Sequence, residues 1–290
     1  IIGYANEGIS FLFGGLVNNE SIGTVFAISV LTIIIFFSSL ISVLYYLGIM
    51  QVIIKFIGGF LSKVLGTSKA ESVSAAANIF VGQTEAPLVI RPFLNTMTRS
   101  QLFAVMTGGL ASVSGSVLVG YSLLGVPLEY LLAASFMAAP AGLVLAKLIM
   151  PETEEIDESE FKLEKDTSAT NVIEAAANGA GDGLRLAANV GAMLLAFIAL
   201  IALVNGILGG IGGLFGLENV TLENILGYVF APLAFAIGVP WEEAVAAGSF
   251  IGQKLVLNEF VAYSNFGPVI GEFSAKAGLI ISFALCGFAN

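Results

Sequence analysis

Apolar segments long enough to cross a lipid bilayer constrain this chain more than any other feature of its sequence. Residues 24–47 contain no charged side chain and are rich in Ile, Phe and Val. A helix needs about 20 such residues to cross the hydrocarbon core. The whole chain agrees, because hydrophobic residues make up 57% of it and charged residues 11%, whereas soluble domains carry about 25% charged residues. The sequence therefore predicts an integral membrane protein.

The composition also excludes several classes of function. Histidine is absent, which removes Ser-His catalysis, histidine metal sites and imidazole proton relays. The single cysteine, Cys286, allows neither an internal disulfide nor a cysteine metal cluster. The net charge of −10 and the lack of a basic cluster argue against a nucleic-acid partner. We therefore expect neither an enzyme nor a nucleic-acid-binding protein.

The order of the apolar blocks predicts an all-α polytopic membrane protein. Four blocks are predicted to span the membrane and a fifth to begin a span: 24–47, 102–124, 128–150, 184–208 and 277–290. Two shorter blocks differ from these. The first, 51–65, carries Lys55 and Lys63 near one helical face, and the second, 222–237, contains Pro232. Both are predicted to be interfacial helices.

Two further apolar blocks are interrupted at their centres by polar residues. Residues 72–94 contain the motif GQTEAP at 82–87, and residues 244–263 contain LNEF at 257–260. A straight span with Gly, Glu and Pro in its middle is implausible, because irregular backbone at that depth is tolerated only where protein or water surrounds it. Both blocks are therefore predicted to be re-entrant helical hairpins.

The two halves of the chain repeat the same order of blocks: span, interfacial helix, hairpin and broken span. The string FVGQ at 80–83 recurs as FIGQ at 250–253, and GLAS at 109–112 is echoed by GFAN at 287–290. Three predicted spans separate the hairpins, and an odd number of crossings puts them on opposite faces of the membrane. The sequence therefore predicts inverted repeats, an arrangement typical of secondary transporters.

The distribution of basic residues predicts the orientation in the membrane. Lysine and arginine cluster around the first interfacial helix and first hairpin, between Lys55 and Arg99, whereas residues 1–54 and 209–253 contain none. The first hairpin is therefore predicted to enter from the cytoplasm. The acidic linker at 151–170 is predicted to be cytoplasmic as well.

Glu85 and Glu259 are the strongest candidates for chemistry, because each is predicted to lie within the membrane at a hairpin tip. A charge at mid-bilayer costs about 2.5–3.5 kcal/mol on insertion scales, so it normally lines a polar cavity and has a partner. Gln83, Thr84 and Asn258 beside them supply amide and hydroxyl groups. Together these side chains suit a neutral ligand with several hydrogen-bond donors and acceptors.

Some of these polar and aromatic residues also have structural interpretations. Glu85 can form an internal ion pair with Arg91, and Glu259 can form one with Lys254. Trp241 and the tyrosines near the ends of apolar blocks are predicted to be interfacial anchors rather than ligands.

A Gly- and Ser-rich stretch, 107–116, interrupts the block 102–124 and predicts a broken transmembrane helix. Small residues at these positions also allow tight helix packing. Because Asn78 lies in the preceding hairpin, a second interpretation is a hard oxygen site, made from hydroxyls and from backbone carbonyls freed at the helix break, as transporters use for sodium. The residues alone leave both interpretations open.

The motifs at both hairpin tips resemble those of bacterial concentrative nucleoside transporters. The resemblance rests on GQTEAP at 82–87, NEFVAY at 258–263 and CGFAN at 286–290, and the order of blocks agrees from about residue 24 onward. It implies a homotrimer in the bacterial inner membrane that takes up nucleosides with sodium, or with protons in some members. It also implies eight spans and two hairpins per protomer, so this chain would lack the first two spans and the last.

The resemblance further implies roles for individual residues. The nucleobase would be bound by the first hairpin and the following helix, through Gln83, Thr84, Glu85 and Val117. The ribose would be bound by the second hairpin and the last helix, through Glu259 and Asn290, with Asn258 and Phe288 nearby. Sodium would be held by Asn78, Thr107, Ser112 and Val113, two of them through backbone carbonyls. A uridine-like nucleoside and Na+ are the expected substrates.

In such transporters each protomer would divide into a scaffold and a moving transport domain. Residues 1–70 and 171–240 would belong to the scaffold, with one span and an interfacial helix in each. Residues 71–150 and 241–290 would form the transport domain, and the acidic linker would join the two halves.

Three other functions stay open beside sodium symport. A proton symporter would use Glu85 as the proton carrier. An ion or solute channel needs a continuous polar lining, whereas the polar groups here concentrate at two hairpin tips, which favours an occluded site. An intramembrane aspartyl protease, which GAGD at 179–182 resembles, is disfavoured because it needs a second aspartate within the membrane. The only other aspartates, Asp157 and Asp166, lie in the acidic linker.

Overall fold

Helices account for every regular element in the described part of the chain. The computed structural model describes residues 2–16, 25–83, 85–156, 169–217 and 220–287. The α-helices are α1 Ile2–Phe13, α2 Phe26–Ser29, α3 Leu31–Tyr46, α4 Ile49–Leu65, α5 Lys69–Ala77, α6 Arg99–Ala111, α7 Gly115–Leu123, α8 Leu128–Ile149, α9 Val172–Leu214, α10 Leu222–Ala236, α11 Trp241–Val256, α12 Glu259–Phe266 and α13 Ala275–Cys286. Three 3-10 helices accompany them, at Gly14–Leu16, Ala86–Thr96 and Gly267–Glu272. The all-α prediction is confirmed.

The helices form two compact units. Unit 1 comprises Ile1–Gly120 and Leu132–Ala187, and unit 2 comprises Tyr121–Leu131 and Ala188–Asn290. Unit 1 contains the first predicted hairpin, and unit 2 contains the second. The division into scaffold and transport segments stays a prediction.

Four helical segments among the described residues are long and apolar enough to cross a membrane: Phe26–Tyr46, Arg99–Leu123, Leu128–Ile149 and Val172–Leu214. Each overlaps a predicted span, and the last three lie between the two hairpins in the sequence. The segment Arg99–Leu123 is broken at 112–114, between α6 and α7. The four predicted spans, one of them broken, are therefore confirmed. The block 277–290 begins within α13, which is too short within the described residues to cross a membrane.

The span predicted at 184–208 is part of a much longer helix. Helix α9 has 43 residues, which corresponds to about 65 Å, roughly twice the thickness of the hydrocarbon core. Its start is fixed by a cap, because the backbone N–H of Glu174 donates to Asn171 Oδ1 at 2.9 Å. The prediction was wrong at the amino end because hydropathy detects only the apolar part of a helix.

The polar first turns of α9 pack closely against α3 within unit 1. A Cβ at Gly179 would lie 2.5 Å from the Cβ of Ser42, and a Cβ at Gly183 would lie 2.8 Å from the Cα of Ile35. The Ser42 hydroxyl also donates to the carbonyl of Ala175 at 2.8 Å. Two glycines four residues apart thus let the two backbones approach, as small residues do between membrane helices.

Helix α4 matches the first predicted interfacial helix. It buries one face and leaves large apolar side chains such as Phe56 and Phe60 exposed on the other. The buried Ile54 joins Val73 of α5 and Ile90 of the following 3-10 helix in one hydrophobic cluster. The two limbs of the first hairpin therefore pack together on α4.

In unit 2, α10 and α11 take the corresponding places. The chain bends by 116° between them, and α11 packs back on α10. A Cβ at Gly248 would lie 2.6 Å from the carbonyl oxygen of Gly227. The block predicted as the second interfacial helix therefore contacts the first limb of the second hairpin directly.

The repeated tetrapeptides do not occupy equivalent places in the two hairpins. FVGQ at 80–83 lies in the break that follows α5, whereas FIGQ at 250–253 lies inside α11. Helix α11 continues through Gly252 because this residue packs against α10, where a Cβ would come within 2.7 Å of the Leu226 side chain. The two halves therefore share the same order of elements. Their equivalent positions are set by the helix breaks and not by the repeated tetrapeptides.

Within unit 1, a charged cluster joins the start of the acidic linker to α5, α6 and α8. The Lys147 ammonium lies 2.8 Å from the buried Glu71 carboxylate and 3.6 Å from that of Glu152, and it donates to the Ser100 hydroxyl at 2.9 Å. Burial acts to raise the pKa of Glu152, but hydrogen bonds from Thr98 and from two backbone amides, with the charge of Lys147, outweigh it and lower the pKa. Glu152 therefore stabilises the cluster at neutral pH, and this contribution is lost as the pH falls through its lowered pKa. Residues 157–168 of the linker lie outside the described residues.

Candidate functional site

The tip of the first hairpin is an irregular segment, 78–85, between α5 and the 3-10 helix Ala86–Thr96. Two of its backbone carbonyls find partners on neighbouring helices of unit 1. The carbonyl of Ile79 accepts from the Ser135 hydroxyl at 3.1 Å, and that of Phe80 accepts from the backbone N–H of Gly115 at 3.2 Å. These bonds satisfy peptide groups that the hairpin break leaves without helical partners, as an apolar surrounding requires.

Gln83 and Glu85 are both exposed on this tip. The Glu85 carboxylate lies so close to Gly82 that a Cβ at that position would overlap it. Gln83 packs on α6, where its Cβ would lie 3.3 Å from a Cβ placed on Gly109. Within the described residues no ion pair joins Glu85 to Arg91, and Thr84 lies outside those residues.

The residues predicted to hold sodium lie around the end of α6. Asn78 is 1% exposed, and among the described residues neither its Oδ1 nor its Nδ2 has a hydrogen-bond partner. Its Nδ2 lies 3.6 Å from the position that a Cβ on Gly108 would take, so the amide faces the last turn of α6, which also carries the half-buried Thr107. Ser112 and Val113 follow in the break and are buried, and the Ser112 hydroxyl donates to the carbonyl three residues earlier at 3.1 Å.

Val117, predicted to lie against the nucleobase, is in the first turn of α7 and is buried. The two serine hydroxyls just before it, Ser114 and Ser116, share a hydrogen bond of 2.8 Å. The structure therefore gathers the predicted sodium residues and the tip of the first hairpin around one helix break within unit 1.

The second hairpin, in unit 2, breaks at residues 257–258 between α11 and α12. Asn258 caps α12, since its Oδ1 accepts from the backbone N–H of Val261 at 2.9 Å. Glu259 is the first residue of α12 and is 6% exposed. A carboxylate at a helix amino terminus is stabilised by the helix dipole, which helps to explain how a charge is accommodated at this depth.

Helix α11 also contributes a buried lysine near its carboxyl end. Lys254 is buried and donates to the carbonyl of Ala284 at 2.9 Å. An ion pair between Lys254 and Glu259 stays a prediction. Phe288 and Asn290 lie outside the described residues.

Tyr121 makes a polar contact with Glu259 that the sequence did not indicate. Its hydroxyl donates to Glu259 Oε1 at 2.9 Å within unit 2. Tyr121 and Tyr263 are both fully buried and stack with their ring centroids 4.6 Å apart. The prediction that tyrosines near block ends are interfacial anchors is therefore wrong for these two, although Trp241 is 58% exposed, as an anchor would be.

Together these features define a multi-pass membrane transporter fold, with two repeated hairpins and a carboxylate at the tip of each. Residues 130–290 match the family described as "Na+ dependent nucleoside transporter C-terminus", and residues 27–128 match the one described as "Nucleoside recognition". The chain belongs to the concentrative nucleoside transporter family. It is therefore a transporter of the bacterial inner membrane and not an enzyme.

Similar proteins cover the whole of this chain. It is 68% identical over 292 residues to the uncharacterized transporter YutK of Bacillus subtilis and spans 72% of that protein. It is 56% identical over 301 residues to the nucleoside permease NupC of Helicobacter pylori and spans 71% of it. A solved structure of CNTnw in an inward-facing substrate-bound state superimposes with a TM-score of 0.92 at 61% identity, over all of this chain and 71% of that one.

Proposed function

We propose that this chain takes up nucleosides by symport with sodium, through alternating access of a moving transport domain. The observation that carries the proposal is the construction of the two hairpins. Each hairpin has a helix break inside an apolar block of the sequence. Each places a carboxylate, Glu85 or Glu259, at or just after that break. Polar groups confined to hairpin tips favour a substrate site over a continuous conducting pore.

We assign the nucleobase to the first hairpin and the ribose to the second. Base contacts come from Gln83, Thr84, Glu85 and Val117, and ribose contacts from Asn258, Glu259, Phe288 and Asn290. Amide and carboxylate groups can pair with base edges, and a buried carboxylate is a strong acceptor for sugar hydroxyls. The family match supports this assignment.

Free bases are expected to compete poorly with nucleosides for uptake. Removing the sugar discards every contact assigned to the second hairpin, a loss that binding sites penalise heavily. Competition of labelled uridine uptake by unlabelled uridine and by uracil measures this directly. Equal inhibition by the two compounds would contradict the division of ligands between the hairpins.

We propose that sodium is bound by Asn78, Thr107, Ser112 and Val113. The amide of Asn78 supports this, because its buried carbonyl oxygen has no partner among the described residues and is costly to bury unless it serves a ligand. Hydroxyl and carbonyl oxygens at a helix break suit a hard monovalent cation. We further propose that the chain assembles as a homotrimer in the bilayer, as the family resemblance implies.

Ser112→Ala is expected to raise the sodium concentration needed for half-maximal uridine uptake several-fold. Ser282→Ala is a matched control, since that buried hydroxyl also bonds to a carbonyl of its own helix, at 2.7 Å, and it should leave the sodium dependence unchanged. The measurement is initial uptake in proteoliposomes at varied sodium and at two external pH values. An unchanged sodium dependence in Ser112→Ala would remove this residue from the site.

A further inference from the structure

Tyr121 carries its hydroxyl on a ring that has little freedom to move. The side chain is fully buried. Its ring stacks on Tyr263 at 4.6 Å with an interplanar angle of 28°, and it meets Phe260 edge-on at 4.7 Å. Aromatic contacts on two sides fix the ring, and therefore fix the point in space from which the hydroxyl donates.

Glu259 receives this hydroxyl on one defined oxygen. The bond from Tyr121 to Oε1 is 2.9 Å long and lies in the buried interior of unit 2. A carboxylate offers about four lone-pair sites, so a directional donor held at Oε1 restricts the orientations that the group can take. Lys254 adds positive charge nearby, but its own hydrogen bond goes to the Ala284 carbonyl. The Tyr121 hydroxyl therefore supplies a directional constraint on the Glu259 carboxylate.

We infer that Tyr121 is a positioning residue for nucleoside selection, which holds the Glu259 carboxylate in the orientation that receives a ribose hydroxyl. The inference rests on the proposed role of Glu259 as a ribose ligand. Tyr121 acts through Glu259 and is not itself a ligand. Its contribution should therefore be seen with substrates that have the hydroxyl that Glu259 accepts, and be lost with substrates that lack it.

The test compares Tyr121→Phe with Tyr263→Phe in proteoliposomes. Each change removes one hydroxyl from the same stacked pair of rings, but the Tyr263 hydroxyl donates to the backbone carbonyl of Ser282 at 2.8 Å and not to Glu259. Initial rates are measured for uridine, 2′-deoxyuridine and 3′-deoxyuridine. The elution volume on size exclusion reports whether each variant keeps its fold.

Tyr121→Phe is expected to raise the KM for uridine about tenfold, the size of a lost hydrogen bond to a charged group, with a maximal rate close to that of the unchanged protein. For the deoxynucleoside that lacks the hydroxyl bound by Glu259, the substitution should change the KM less than about twofold. Tyr263→Phe should leave the uridine KM unchanged. The ratio of the KM values for uridine and for that deoxynucleoside should therefore move closer to one in Tyr121→Phe. A general loosening of the fold would raise both KM values and leave the ratio unchanged.

Two results would overturn the inference while leaving the proposed function in place. One is an unchanged uridine KM in Tyr121→Phe, and the other is an equal rise for uridine and for both deoxynucleosides. Glu259→Gln tests separately the proposed ribose role of Glu259, on which this inference rests. If that variant takes up uridine with the KM of the unchanged protein, the ribose role of Glu259 is wrong, and the role of Tyr121 falls with it.

Discussion

Glu259→Gln is expected to reduce nucleoside uptake at least a hundredfold. The substitution keeps the shape of the side chain but replaces one acceptor oxygen by an NH2 donor and removes the negative charge. A ribose hydroxyl would then face a donor in a buried site, and the Tyr121 hydroxyl would lose its charged acceptor. Initial uptake of labelled uridine into proteoliposomes measures the effect.

Glu272→Gln is the matched control for this experiment, because Glu272 is an exposed glutamate at the end of the 3-10 helix that follows α12. It should transport as the unchanged protein does. Both variants should elute at the same volume on size exclusion, which separates loss of function from loss of fold. Full uptake by Glu259→Gln would exclude the carboxylate as a substrate ligand.

Lys147→Met is expected to cost about 3 kcal/mol of stability, because it leaves Glu71 buried without its counter-charge. Glu71 is 1% exposed and its carboxylate lies 2.8 Å from the lysine. A loss of this size lowers a melting temperature by roughly 6–12 °C. Thermal unfolding of the detergent-solubilised protein, followed by circular dichroism, gives the measurement.

Two further variants make this prediction specific. Lys63→Met removes an exposed lysine of α4 and should change the melting temperature little, as exposed charges contribute little to stability. The double variant Glu71→Gln with Lys147→Met removes the uncompensated charge and should recover much of the lost stability. If Lys147→Met melts like the unchanged protein, the ion pair does not stabilise unit 1.

The sequence predicted the parts of the fold that depend on local composition. Apolar length identified the spans, and Gly- and Ser-rich composition identified the break between α6 and α7. The motif at 82–87 located the tip of the first hairpin, because Gly, Glu and Pro cannot continue an apolar helix. These features are encoded within about twenty residues, where periodicity and hydropathy are informative.

The features that the sequence did not predict depend on contacts between distant segments or on local caps. The Tyr121–Glu259 bond joins residues 138 positions apart, and nothing near Tyr121 in the sequence distinguishes it from an interfacial anchor. The early start of α9 depends on the cap at Asn171 and on the packing of Gly179 against α3. The register of the second hairpin depends on Gly252 lying against α10.

One sodium ion per nucleoside supplies enough free energy for concentrative uptake. A tenfold sodium gradient is equivalent to about 1.4 kcal/mol, and a membrane potential of about 100 mV adds about 2.3 kcal/mol for each charge moved. Together these terms support a nucleoside gradient of several hundredfold. Proton coupling through Glu85 would instead draw on a pH gradient, and a channel would draw on neither.

Uptake of labelled uridine into proteoliposomes, with and without an inward sodium gradient, tests the central proposal most directly. Sodium symport predicts that uridine accumulates above its external concentration only when the sodium gradient is present. An acid-outside pH gradient imposed on sodium-free vesicles should produce no accumulation. Accumulation driven by that pH gradient would contradict sodium coupling and make Glu85 the proton carrier, and equilibration without accumulation under either gradient would contradict symport altogether.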